Sequence, residues 1–318
     1  MEAQGPMAES QVEPRVVRNG PSTLGPSRLA LWVSAARPKT LLLSIAPVAA
    51  GIGLAVAQTQ GLSLAIAMAT LVAALSIQVG TNLHNDAADF ERGADTRDRV
   101  GPPRATAQGW FSPGEVRRAA HLAFGLAFLL GMLLVMRGGW PILAIGAASI
   151  ACGYAYTSGP RPIAYGPYGE LYVLAFFGIA SVVGSHYLQA LSLDRSALLL
   201  GIALGLPAAA VLLLNNYRDL ETDRAAGRRT LCHYLGRPKA RVLYGALLIA
   251  PLPLILGAGL PGPIWLSLAA LPLALKLIVR LFGDATGPDL NRLLGRTALY
   301  QALVTGLLLS AFAVAQGQ

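Results

Sequence analysis

Apolar runs of helix length recur along this chain almost to its end, and that repetition limits the fold more than any other feature. They lie near 31–57, 62–84, 118–136, 140–157, 168–190, 197–217, 241–259, 262–281 and 298–316. A helix rises about 1.5 Å per residue, so about 20 apolar residues cross a bilayer core, and each run is a candidate crossing. The links at 58–61 (Gln-Thr-Gln-Gly), 137–139 (Arg-Gly-Gly) and 259–261 (Gly-Leu-Pro) read as tight turns between neighbouring helices. The alternation of a membrane β-barrel, with strands of about 10 residues, is absent. Composition agrees: apolar types make up 54% and charged types 13% of the 318 residues, and mean hydropathy is +0.53. A soluble domain carries roughly 25% charged residues. The expectation is an all-α polytopic membrane protein with nine transmembrane helices.

Charge gives the orientation. The formal net charge is +9, from 25 Lys+Arg against 16 Asp+Glu. Place the N-terminus and the loops at 85–117, 158–167, 218–240 and 282–297 on one side. Every basic residue except Arg137 and Arg195 then falls on that side or at helix ends facing it. Basic loops stay in the cytoplasm, so the expected topology has the N-terminus inside and, with an odd number of helices, the C-terminus outside. Basic residues that flank apolar spans are membrane anchors, which removes nucleic acid as an expected partner. Residues 1–28 are read as a polar cytoplasmic tail without a signal peptide, and 29–318 as a single transmembrane domain. Cys152 and Cys232 are too few for a disulfide framework or a zinc site.

Two acidic segments carry the chemistry, each where an apolar run ends on the cytoplasmic side. The first runs Asn82-Leu83-His84-Asn85-Asp86-Ala87-Ala88-Asp89-Phe90-Glu91-Arg92-Gly93-Ala94-Asp95-Thr96-Arg97, and the second Asn215-Asn216-Tyr217-Arg218-Asp219-Leu220-Glu221-Thr222-Asp223-Arg224. In both, an Asn precedes an Asp by four residues, and a further Asp follows at Asp89 or Asp223. Side chains at such spacings share a helix face. Like charges gathered at a membrane helix end are costly unless something neutralises them. Carboxylates suit Mg²⁺, which also engages substrate phosphates, so Asp86, Asp89, Asp219 and Asp223 are the expected metal ligands. Two such faces would hold a diphosphate through bridging Mg²⁺, with Arg97, Arg104, Arg218 and Arg224 near in sequence to offset its charge. The bland alternative is that these are ordinary solvated loop charges.

These segments resemble the paired motifs of the UbiA superfamily of intramembrane aromatic prenyltransferases. The nearest pattern is that of the branch acting on 1,4-dihydroxy-2-naphthoate, the menaquinone-forming enzymes. Gly101 to Arg104, the run Asn215 to Leu231, Tyr154 to Pro160, Gly169-Glu170-Leu171, Phe176-Phe177-Gly178 and Arg37 to Thr40 all fit that branch, so the resemblance covers about residues 30–315. It implies a bundle of nine helices around a central cavity in the bacterial inner membrane, with both Asp motifs at its cytoplasmic end. It implies a polyprenyl diphosphate donor, a naphthoate acceptor and Mg²⁺ at the four Asp residues. Asn82 and Asn215 would orient the carboxylates or bind phosphate oxygens. Asp95 would stand in for the acid that the commoner motif places at Gly93, and Cys232-His233-Tyr234 departs from the branch. Within the superfamily, 4-hydroxybenzoate and homogentisate are the competing acceptors; outside it, a secondary transporter is the alternative.

Other residues carry two readings each. Tyr154, Tyr156 and Tyr217 would line the cavity and attract cationic character with their ring faces, or anchor helix ends at the interface. Glu170 opens an apolar run and would contact substrate, or cap a helix start. Arg37 and Lys39 would grip a carboxylate or diphosphate, or serve as positive-inside anchors. His84, His121, His186 and His233 form no ligand-spaced cluster. No Gly-Lys-Ser/Thr phosphate loop is present, so nucleotide-driven chemistry has no support.

Overall fold

The computed structural model describes residues 26–94, 101–283 and 285–317. Among them every regular element is helical: α1 Arg28–Ala36, α2 Pro38–Thr59, α3 Leu64–Glu91, α4 Pro113–Gly138, α5 Trp140–Ala155, α6 Gly169–Val173, α7 Ser181–Ala190, α8 Arg195–Arg218, α9 Leu220–Ala225, α10 Leu231–Ile249, α11 Pro251–Leu256, α12 Leu271–Phe282 and α13 Pro288–Gln316. A π-helical stretch, Leu174–Ala180, joins α6 to α7 into one rod, and a 3₁₀ stretch, Ile264–Ala270, leads into α12. Eight helices or continuous rods among the described residues are long and apolar enough to span a membrane. Trp140–Ala155 is apolar but shorter, at 16 residues.

The first apolar run is not one helix. Arg37 adopts a left-handed conformation (φ 58°) and separates α1 from α2. Pro38 is the local cause, because a residue before proline is pushed away from helical geometry. The seventh run starts ten residues earlier than the apolar pattern does, at Leu231, with a break at Gly236 (φ 68°) before Pro238. The last run begins at Pro288, where a polar turn already has helical geometry. Polar caps set these ends. Ser112 and Glu115 form a reciprocal capping box at the head of α4, with Pro113 in the first turn. Asp194 accepts from Ser196 N at 2.6 Å and Ala197 N at 3.3 Å at the head of α8. Between α4 and α5 a single residue, Gly139 (φ 67°), turns the chain.

Helix α8 is the pillar of the bundle, with 72% of its apolar window buried, against 22% for α4. The outer face of α4 carries Leu122, Leu129, Leu133 and Met136, all exposed, as expected where the solvent is lipid. Small residues let backbones touch. A Cβ on Gly178 would lie 2.4 Å from Gly201 O and 2.5 Å from Gly205 Cα of α8. That approach lies inside the π stretch, where Ser181 Oγ donates to the Phe176 carbonyl at 2.7 Å and satisfies a group freed by the wide turn. Gly178→Ala is therefore expected to destabilise the protein by about 1–3 kcal/mol through overpacking, read as a lower Tm in detergent. An unchanged Tm would show that the two helices can part without penalty.

The helices enclose a cavity of about 840 Å³. Its long wall is apolar, with Leu43 and Val48 of α2, Ile77 of α3, Ile142 and Ile145 of α5, and Phe176 and Phe177 of the π stretch. One end is polar, and both acidic motifs converge there.

Candidate active site

The polar end is built by the last turn of α3, the last turn of α8 with the short α9, the loop at 101–104 and the hinge between α1 and α2. Asn82 and Asn85 face the cavity from α3; Asn215, Asn216, Arg218 and Asp219 face it from the end of α8, and Thr222 and Asp223 from α9. Arg37, Lys39, Arg104, Tyr156, Arg228 and Asn291 complete the rim. Sequence reasoning anticipated Asn82, Asn215, Asp219, Asp223, Arg37, Lys39, Arg104, Tyr156 and Arg218, and the fold brings all nine to this cavity.

Asp86 does not open onto it. Its carboxylate accepts from the backbone N–H groups of Ala105 (2.8 Å) and Thr106 (3.1 Å) and from the Thr106 hydroxyl. Only 1% of the residue is exposed. Asp86 thus clamps the 101–111 loop back onto α3. Asp86 lies at the edge of the lining stripe, about 40° around the axis from Asn82, and the N–H groups of Ala105 and Thr106 take its carboxylate. The stripe that faces the cavity is Gln78, Thr81, Asn82 and Asn85. Asn85 was missed although its spacing, three residues after Asn82, was legible. Its Oδ1 is buried and accepts no hydrogen bond.

Asp89 is fully buried just behind the rim, between Arg104 (3.3 Å) and Arg228. Arg228 also reaches Asp223 at 3.6 Å, so one guanidinium ties the two acidic motifs together. The Tyr165 ring lies 4.7 Å below it. Burial alone would lower the Arg228 pKa, but Asp89 and Asp223 outweigh that, and the net shift is upward. Arg228 was not anticipated, because it lies beyond the Asp motif in a loop with no helical period. Arg218 holds Asp219 with two bonds, 2.7 and 2.6 Å, and also donates to Asn215 Oδ1 and Asn291 Oδ1.

Four further expectations fall away from the cavity wall. Tyr154 points toward α4, where its hydroxyl meets His121 Nδ1 at 2.7 Å and its ring packs on Phe124. Tyr217 is buried toward α10; Arg241 Nε donates to its hydroxyl at 2.8 Å and Arg237 covers its ring. Both are one helical step off the lining stripe, which decides the matter for residues at a helix end. Arg224 is exposed on the outer side of α9. Glu170 is buried one layer behind the wall, where its Oε1 accepts from Asn216 Nδ2 at 2.9 Å. Asp95 and Arg97 lie outside the described residues.

Among the described residues no three His, Cys, Asp or Glu side chains converge on one point. The acids are instead paired with guanidinium groups. The oxygen donors that do face the cavity, Asp219, Asp223 and the vacant Asn85 Oδ1, are nonetheless hard ligands of the kind Mg²⁺ accepts.

An apolar helical cavity with one pole of Asp, Asn and Arg side chains is what an intramembrane enzyme of diphosphate esters needs. Residues 44–304 match the UbiA prenyltransferase family, and the chain belongs to that family. It is 38% identical to the 1,4-dihydroxy-2-naphthoate octaprenyltransferase of Mycobacterium tuberculosis, covering 91% of this chain and 98% of that protein. The protein of the same description from Escherichia coli is 36% identical, covering 89% and 94%. The fold superposes on a UbiA homolog from Archaeoglobus fulgidus bound to GPP and Mg²⁺ with a TM-score of 0.64 at 15% identity, covering 89% of this chain and 99% of that one. At that identity the likeness speaks for the fold alone.

Proposed function

We propose that this protein transfers a polyprenyl group from a polyprenyl diphosphate to 1,4-dihydroxy-2-naphthoate. Diphosphate and carbon dioxide leave, giving the prenylated naphthoquinol, which a separate two-electron oxidant then takes to demethylmenaquinone. The observation that carries this reading is the end-to-end similarity to naphthoate octaprenyltransferases, joined to a cavity polar at one end only.

The apolar wall suits a prenyl tail and the pole suits its diphosphate. Asn85, Asp219 and Asp223 would hold Mg²⁺, with Asn215 beside them; Asp89 serves by fixing Arg228 and Arg104 rather than from the wall. When bound, Mg²⁺ supplies Lewis-acid stabilisation to the departing diphosphate. The chain adds fixed positive charge from Arg218, Arg228, Arg104, Arg37 and Lys39 where negative charge grows as the carbon–oxygen bond breaks. Tyr156, on the wall, offers a ring face to the allylic cation. The apolar wall keeps water from that cation until the naphthoate ring attacks.

The eight long spans together with α5 make nine crossings in this reading. The basic loops then keep the N-terminus and the pole on the cytoplasmic side of a bacterial inner membrane, and the C-terminus emerges outside.

The test is product formation in liposomes from dihydroxynaphthoate, a polyprenyl diphosphate and Mg²⁺, with 4-hydroxybenzoate in parallel. EDTA is expected to reduce product to background while leaving the Tm within a degree or so, because the arginines neutralise the acids without metal. Prenylation of 4-hydroxybenzoate alone would overturn the acceptor, and full activity in EDTA would overturn the metal.

A further inference from the structure

Asn216 lines the cavity beside Asn215, but its amide is committed in a way that its neighbour's is not. Its Nδ2 donates at 2.9 Å to Oε1 of Glu170, which lies behind the wall. Glu170 is 7% exposed, its Oε2 has no hydrogen-bond partner, and no salt bridge among the described residues engages it. Oε1 has the Asn216 amide as its hydrogen-bond partner and accepts from Nδ2, and that contact sets which way the amide is turned. The group left for the cavity is Asn216 Oδ1, which accepts no hydrogen bond from any described residue.

A carbonyl oxygen whose amide nitrogen is committed behind the wall is selective. It receives a hydrogen-bond donor and disfavours an anion, so a diphosphate or an ionised carboxylate gains nothing there. Of the groups brought by the two substrates, only the ring hydroxyls of the aromatic acceptor can donate. We infer that Asn216, held by Glu170, is the residue that reads a hydroxyl of the acceptor. Glu170 is then a positioning residue, acting through Asn216 rather than on the substrate. The inference rests on the naphthoate reaction proposed above. It divides the polar end by charge: guanidinium groups and metal for the anionic donor, and a lone carbonyl for the neutral edge of the acceptor. Sites that hydrogen-bond a substrate hydroxyl discriminate well against analogues that lack it, because the site's own polar atom is left unpaired.

The experiment compares dihydroxynaphthoate with its mono-O-methyl ethers in wild type, Asn216→Leu and Glu170→Gln. Leu keeps the branched heavy-atom skeleton without the carbonyl. Gln keeps the volume of Glu170 but can donate, so the amide of Asn216 loses its fixed orientation. In wild type, kcat/KM should favour the free hydroxyl over at least one ether by about tenfold, as one neutral hydrogen bond allows. Asn216→Leu should bring that ratio close to one while the KM for the prenyl diphosphate stays within twofold. Glu170→Gln should lower the ratio part of the way. A ratio unchanged in both variants would overturn the assignment, as would a shift confined to the donor KM or the Mg²⁺ requirement. If Asn216→Leu fails to fold, the ratio in Glu170→Gln decides alone. A wild type inert toward the naphthoate would instead remove the underlying reaction, and this inference with it.

Discussion

Asp219→Asn is expected to cut prenyl transfer by about 10²–10³-fold, the scale at which a lost charge-stabilising group acts in other enzymes. Asp219 faces the cavity and is held in a two-bond pair by Arg218, whose side chain is 1% exposed. Asn has the same shape but no charge to hold a divalent cation, so the substitution removes the ligand and little else. Arg218 keeps Asn215 and Asn291 as partners. The fold should therefore survive, and thermal unfolding in detergent checks that. Asp223→Asn should act in the same direction. Its own partner, Arg228, remains tied to Asp89. A well-folded Asp219→Asn protein that keeps half the wild-type rate would take Asp219 out of the diphosphate site.

The second large effect is a contrast between neighbours. Asn85→Leu is expected to lower activity by about 10²-fold with little change in Tm, because its buried Oδ1 serves no protein partner. Asp86→Ala should do the reverse. It strips the acceptor from the N–H groups of Ala105 and Thr106, and each buried donor left unpaired costs about 1–3 kcal/mol. Its activity loss should follow the loss of folded protein and recover on cooling. Paired measurements of Tm and of rate at two temperatures separate the two cases. An Asp86→Ala protein that is inactive at unchanged Tm would return Asp86 to the metal site, and a fully active Asn85→Leu protein would remove Asn85 from it.

That contrast also marks how far the sequence could be read. Apolar runs revealed the spans because lipid imposes one requirement on every helix, that its backbone be satisfied internally and its surface be apolar. They did not show the break at Arg37, which depends on one left-handed residue before Pro38. The acidic motifs located the pole, since clustered charge at a membrane helix end has few other uses. Choosing among the acids was harder. Asp86 and Asp89 were grouped by their spacing, yet one clamps a loop and the other binds two arginines. A helical wheel gives angle but not the neighbour waiting there, and both neighbours, the 104–106 loop and Arg228, come from distant or irregular segments. Asn85 was legible in the stripe through Gln78, Thr81 and Asn82. Tyr154 and Tyr217 face partners on α4 and α10 for a related reason, because a residue at a helix end meets whatever lies one step around the axis.

The π stretch Leu174–Ala180 bears on how this cavity can change. Tyr172 and Val173 before it, Phe176, Phe177 and Ala180 within it, and Ser181, Gly184, Ser185 and Leu188 after it line the same wall. A regular helix advances about 100° per residue and drifts off such a four-residue repeat, whereas one wide turn resets the phase. The stretch is a built-in clutch. A switch of that wide turn to ordinary winding, with no residue lost, would keep the rod unbroken and swing everything beyond it by about 100°. The deep end of the wall would be relined in one step while the diphosphate pole, on other helices, stayed as it was. Pocket depth and reaction centre can thus change separately within this architecture.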